Sequence, residues 1–139
     1  MKVLKLAYIS HGWVLCFTDQ ALITERVEAW RYGPVVPSLY HYLKPFKASA
    51  VPSSQIGVLP SISGDERLMV VLDSVWAAYR HFSGIQLSAM THEIGTPWYA
   101  TWHGAGCKDS GCESIDNLLI RDHYKSLLRH RQPAAGAAG

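Results

Sequence analysis

The opening segment of the chain, Lys2 to Phe17, is apolar on nearly every side, and that sets the first condition on the fold. Leu4, Ala7, Tyr8, His11 and Leu15 recur at helical spacing, and Leu6, Ile9, Trp13 and Cys16 fill the faces between them. A helix that is apolar all round has no side to give to water. It stands at the centre of a core or is covered in part by a partner.

A central helix needs other chain to wrap it. The 139 residues are enough for one domain and leave none for a second. Hydrophobic residues make up 48% and charged residues 17%, with five Trp and seven Tyr, which suits a packed globular protein and excludes a disordered chain. The formal net charge of +2 gives no general pull toward nucleic acid or anionic lipid. No apolar run approaches the roughly 20 residues of a bilayer span, and the N-terminus lacks a secretory cleavage site. Cys16, Cys107 and Cys112 are odd in number and form no disulfide framework. The chain is therefore expected in the cytoplasm.

After the first helix the pattern changes to extended pieces. From Leu22 to Tyr32 the alternation puts Val27, Ala29 and Arg31 on one face and Glu28, Trp30 and Tyr32 on the other, which predicts a small hairpin. Gly33-Pro34-Val35-Val36-Pro37 is expected to end it as a turn, and Pro37 suits the first turn of a helix carrying Leu39, Leu43 and Phe46 inward. That helix should stop at Pro45, before a loop to Pro60. Ser63 and Glu66 predict a capping box for a helix with Leu68, Val71, Leu72, Val75, Trp76, Tyr79 and Phe82 as its buried stripe and Gly84 as its stop. Ser83 and Gln86 cap a shorter helix with Leu87, Met90 and Ile94 inward, ended by Gly95 and Pro97. A last helix spans about Asp116 to Arg131, buries Ile120, Tyr124, Leu127 and Leu128, and closes at Pro133. The fold class is mainly α: a compact bundle of about five helices with a small β-hairpin element. One domain over residues 1–132 and a disordered Ala/Gly tail over 133–139 complete the expectation.

Few residues form a pattern that carries chemistry. His103, Cys107 and Cys112, with His92 as a fourth, have metal-ligand atoms but lack the paired Cys-x2-Cys spacing of a zinc knuckle, so the expectation is no metal and no cofactor. Cys107 and Cys112 are also spaced to pair under oxidising conditions. His11 and Cys16, five apart on one helix, share no face for thiolate catalysis. His92 and Glu93 sit beside Thr96-Pro97-Trp98, yet neighbours on a helix point about 100° apart. A structural hydrogen bond from His92 is therefore preferred to acid/base catalysis. Lys125, Arg129, His130 and Arg131 make a basic end to the last helix, which complements the helix dipole, and in the absence of a recognition-helix pattern nucleic acid is not the expected partner.

One stretch exceeds the needs of a turn: Glu28-Ala29-Trp30-Arg31-Tyr32-Gly33-Pro34-Val35-Val36-Pro37-Ser38-Leu39-Tyr40. With His11-Gly12-Trp13 before it, and Leu87 to Thr91-His92 followed by Thr96-Pro97-Trp98 after it, the chain resembles the Panacea-domain (SocA-like antitoxin) family. The motif residues are His11, Gly12, Trp13, Trp30, Tyr32, Gly33, Pro34, Val35, Thr91, His92, Pro97 and Trp98, and Tyr124 fits the family's final helix. The resemblance covers about residues 1–130. It implies an antitoxin-type module of toxin–antitoxin pairs and prophages that neutralises a partner toxin by direct contact and is not an enzyme. Two other readings stand beside it: a phage-encoded inhibitor of a host defence or regulatory protein, and an enzyme built on His92 and Glu93. Homo-oligomers are compatible with any of these. Aromatic residues and Arg dominate binding hot spots, so Arg31, Tyr40 and Tyr42 are the expected partner contacts, with no catalytic residue assigned.

Overall fold

The computed structural model describes residues 2–46, 65–104 and 113–138. In chain order the elements are α1 (Lys2–Thr18), β1 (Val27–Trp30), β2 (Gly33–Val35), α2 (Pro37–Leu43) with a 3-10 turn at Lys44–Phe46, α3 (Glu66–Tyr79), α4 (Gly84–His92), α5 (Pro97–Gly104), β3 (Glu113–Ile115) and α6 (Asn117–Ala138). The architecture is mainly helical with one small sheet. Ser63, Cys107, Cys112 and the side chains of Phe46 and Arg131 lie outside the described residues.

The condition set by α1 is met by enclosing it. His11 to Cys16 are six consecutive buried residues, and at 100° per residue six positions circle the helix completely. α3, α4 and α6 pack round it, and β2 touches it from one side. α1 and α3 run antiparallel, because Lys2 Nζ donates to the Arg80 carbonyl at one end and Arg67 donates to the Phe17 carbonyl at the other. The core gathers Tyr8, Ile9, Trp13 and Val14 with Val71, Val75 and Tyr79 of α3, Leu87 of α4, and Ile120 and Tyr124 of α6. Each such apolar side chain contributes on the order of 1.5–3 kcal/mol by leaving water.

Local signals account for several boundaries. Pro37 stands in the first turn of α2, and Ser83 with Gln86 forms the full capping box of α4, the Ser83 hydroxyl accepting from the Gln86 amide at 3.1 Å. α3 begins elsewhere than expected. Its cap is Asp65, whose carboxylate accepts from the Leu68 amide at 3.0 Å. Its buried stripe is narrower too, since Trp76 is 54% exposed. Gly84 does not stop α3, which ends at Tyr79, but opens α4. Ile94, expected inward, is 80% exposed because α4 ends two residues before it. Pro97 begins a helix: α5 uses the ring as a pre-set first turn, with the Thr96 hydroxyl accepting from the Tyr99 amide. α6 continues through Pro133 to Ala138, where the alanines that follow are the strongest helix formers.

The hairpin differs as well. Gly33-Pro34-Val35 is not the turn but the second strand, paired antiparallel with β1 through Glu28–Val35, Ala29–Pro34 and Trp30–Gly33. The turn is Arg31-Tyr32, so neither alternates on a strand face. Pro34 is tolerated because β2 is an edge of the β2-β1-β3 sheet and needs no second set of donors. β3 supplies the other neighbour, Val27–Ile115 to Ala29–Glu113. Both faces of β1 are covered, which buries Glu28 along with Val27 and Ala29.

Candidate functional site

The motif residues meet along one seam, where α1 and α4 grip the hairpin. Lys5, one turn before Tyr8 on the inner side of α1, is 2% exposed and donates to the Pro34 carbonyl at 3.0 Å. Burial lowers its pKa from 10.5 to about 8, so the amine is still mostly charged at neutral pH. Gly33 has φ +121°, and a β-carbon there would stand 2.8 Å from Lys5 Nζ. The positive φ favours glycine, and a side chain there would also displace the Lys5 amine. Thr91, buried on α4, sits beside Gly33 and turns its own hydroxyl back to the Leu87 and Ser88 carbonyls.

The tip of the hairpin is held by side chains donating to its backbone. Ser88 Oγ donates to the Tyr32 carbonyl at 2.8 Å, and Trp98 Nε1 donates to the Trp30 carbonyl. His92 Nδ1 donates to the Ser88 carbonyl, and its ring meets Trp98 edge-on at 5.4 Å. Pro97 and Trp98 are both buried. His92 and Glu93 do not converge, since Glu93 is exposed and its charge acts on His123.

A second knot lies at the middle of α1. The Ile23 amide donates to His11 Nδ1 at 3.1 Å, which leaves the ring proton on Nε2, where it donates to Asn117 Oδ1 at 3.0 Å. Burial lowers the His11 pKa, with the Asn117 bond acting the other way. Trp13 Nε1 donates to Tyr79 Oη at 3.1 Å, and its ring stands edge-on to Tyr124 at 5.0 Å. Cys16 is a buried free thiol whose pKa burial raises, the opposite of an activated nucleophile.

The expected partner contacts separate. Tyr40 packs against Trp30 with ring centroids 4.9 Å apart and is half-buried, whereas Tyr42 is 50% exposed. Arg31 is exposed at the hairpin tip with its guanidinium 5.7 Å from the Tyr32 ring centroid. Tyr32, one of the motif residues, has a side chain that is 66% exposed, and its carbonyl accepts from Ser88. Of the basic residues on the last helix, Lys125 lies 3.6 Å from Asp19 while Arg129 and His130 are exposed. His103 packs on Tyr99 at 4.1 Å and is separated from His92 by the Trp98 ring, which meets both.

Lys5 and Ser88 escaped the sequence reading. Lys5 did carry a signal, since it shares a face with Tyr8 and Gly12 at i, i+3 and i+7. Among the described residues, no helix is long and apolar enough to cross a membrane.

The seam coincides with a known pattern. The family model for "Antitoxin SocA-like, Panacea domain" matches residues 3–99, which takes in α1, the hairpin, α4 and Trp98. Among curated proteins, Antitoxin SocA of Caulobacter vibrioides (strain NA1000 / CB15N) is 25% identical over 129 residues, covering 87% of this chain and 69% of that protein. No solved structure matches.

Proposed function

The chain belongs to the antitoxin SocA-like, Panacea domain family, and from that membership we propose that it neutralises a partner toxin by direct contact, without catalysis. The observation that carries the reading is what the motif side chains do. The amine of Lys5 and the indole of Trp98 hold the hairpin, both ring nitrogens of His11 tie α1 to Ile23 and Asn117, and His92 Nδ1 bonds within α4. A motif engaged in this way fixes the shape of a surface, with these polar atoms bonded inside the fold. What it presents outward is the hairpin tip, Arg31 and Tyr32, and Tyr42 of α2 is half-exposed further along the chain. Exposed Arg and Tyr side chains on a rigid support are what protein-binding hot spots use.

The test is co-expression. The product of the neighbouring gene is induced alone and together with this chain. Growth arrest that this chain relieves, with the two proteins co-purifying, is the expected result. Relief without a stable complex, or relief that His92→Ala abolishes while the fold and the complex persist, would overturn contact neutralisation.

A further inference from the structure

The two ends of this molecule differ in whether their cations have carboxylates beside them. At one end, Asp19 lies 3.6 Å from both Arg121 and Lys125. Asp65, the cap of α3, stands near the same end, where Arg67 donates to the Phe17 carbonyl. The other end collects cations. Lys2 donates to the Arg80 carbonyl, Lys5 one turn along α1 donates to Pro34, and Arg31 stands at the hairpin tip. Among the described residues, no carboxylate pairs with Lys2, Arg31 or Arg80; the ion pairs of Asp19, Glu28 and Asp122 all involve other cations. Asp73 is two turns back along α3, and Glu93 is at the far end of α4.

Apolar surface accompanies these cations. Ser88, buried on α4, donates to the Tyr32 carbonyl, which sets this helix against the hairpin tip, and Ile85 is one turn before Ser88. Ile85 is 79% exposed and Tyr32 66% exposed. Arg80 and Ile85 are joined by the short α3–α4 turn, so the chain of contacts from Arg80 through Lys2, Lys5, Pro34 and Tyr32 to Ile85 closes on itself.

We propose that this end of the bundle docks an acidic segment of a partner protein, which brings carboxylates to Lys2, Arg31 and Arg80 and an apolar side chain to Tyr32 and Ile85. The proposal rests on the protein-binding reading above and supplies the chemistry of the partner. Charge complementarity sets the sign, since unpaired cations beside exposed apolar side chains favour anionic groups mixed with apolar ones. A nucleic acid fits less well, because phosphate recognition uses a broad, densely basic surface, and here three cations flank an Ile and a Tyr on a chain of net charge +2.

The test is a titration of the full, isotope-labelled chain with three probes: a short synthetic peptide rich in Asp and Glu that carries Leu and Phe, the same peptide with Lys at every acidic position, and an oligothymidylate. The acidic peptide should give saturable shifts at the amides of Arg31, Tyr32, Arg80 and Ile85. Its affinity should fall at least about tenfold between about 50 and 300 mM salt. Combined Arg31→Glu and Arg80→Glu substitutions should weaken it by about tenfold or more at an unchanged melting temperature. No saturable shift, shifts centred on Phe17 and Val71 instead, or equal binding of the Lys peptide or the oligothymidylate would overturn the proposal. Peptide binding at this end without relief of toxicity would support the docking site and refute the antitoxin reading. Neutralisation that the double substitution leaves intact would do the reverse.

Discussion

Gly12 lies so close to the ring of Tyr124 that a β-carbon on it would stand 2.2 Å from Cε2. The last helix thus closes on the first at the one position of α1 without a side chain. Gly12→Ala should therefore destabilise by about 1–3 kcal/mol, against the gain an alanine ordinarily brings to a helix interior. Urea unfolding of Gly12→Ala and of Gly12→Ala/Tyr124→Leu checks this, with the smaller partner expected to recover much of the loss.

Trp98 should matter through its nitrogen as well as its bulk. Trp98→Phe keeps most of the packing with Trp102, stacked at 5.5 Å, but removes the donor to the Trp30 carbonyl. A cost of about 1–3 kcal/mol is expected. Chemical denaturation measures it, and amide exchange at the hairpin should quicken in parallel.

Lys5 predicts a rise of stability with alkalinity. Its folded pKa, about 8, is below the unfolded 10.5, so between those values the unfolded chain binds the extra proton and unfolding becomes harder as pH increases. Buried Tyr8 and Tyr124, whose pKa values burial raises, act in the opposite sense only above the ordinary tyrosine range. From about pH 8 to 9.5, wild type should gain up to about 2 kcal/mol relative to Lys5→Met. Parallel denaturation curves at the two pH values decide it.

His11 predicts the acid side. Nδ1 accepts from Ile23, so protonation breaks that bond, and the folded pKa is held below the unfolded one. The stability involved is complete above an ordinary histidine pKa of about 6.5 and is lost as pH falls through that range. The advantage of wild type over His11→Gln should shrink between about pH 7 and pH 5, measured by thermal unfolding.

The two tyrosines of α2 should behave differently. Tyr42→Ala is expected to weaken binding of the proposed partner by about 1–2 kcal/mol, read by calorimetric titration. Tyr40→Ala should instead lower the melting temperature, because its ring supports Trp30.

Sequence reading succeeded where the cause was local. The all-round apolar α1, Pro37 in a first turn and the Ser83–Gln86 box are each decided by a few neighbours. It failed where a distant element decided. Gly33-Pro34-Val35 has turn chemistry, but Lys5 and pairing with β1 hold it as an edge strand. Pro97 marks both the end of one helix and the start of another, and no local signal chooses between them. β3 exists only because β1 offers it a free edge more than eighty residues away. At the site, the motif located the seam but not the direction of each side chain. Tyr32 faces out because it sits in the turn, which the strand alternation could not show.

The enclosure of α1 has a consequence for biosynthesis. Trp13 leaves the ribosome early, but its ring is covered by Tyr124, translated more than a hundred residues later. At about 5–20 residues per second, the nascent chain carries that unfinished helix for roughly 5–20 s before its last wall exists. Through that interval the apolar face of α1 is open to chaperones, to proteases and to other nascent chains. Newly made protein thus becomes competent in one late step, when the final helix arrives and docks.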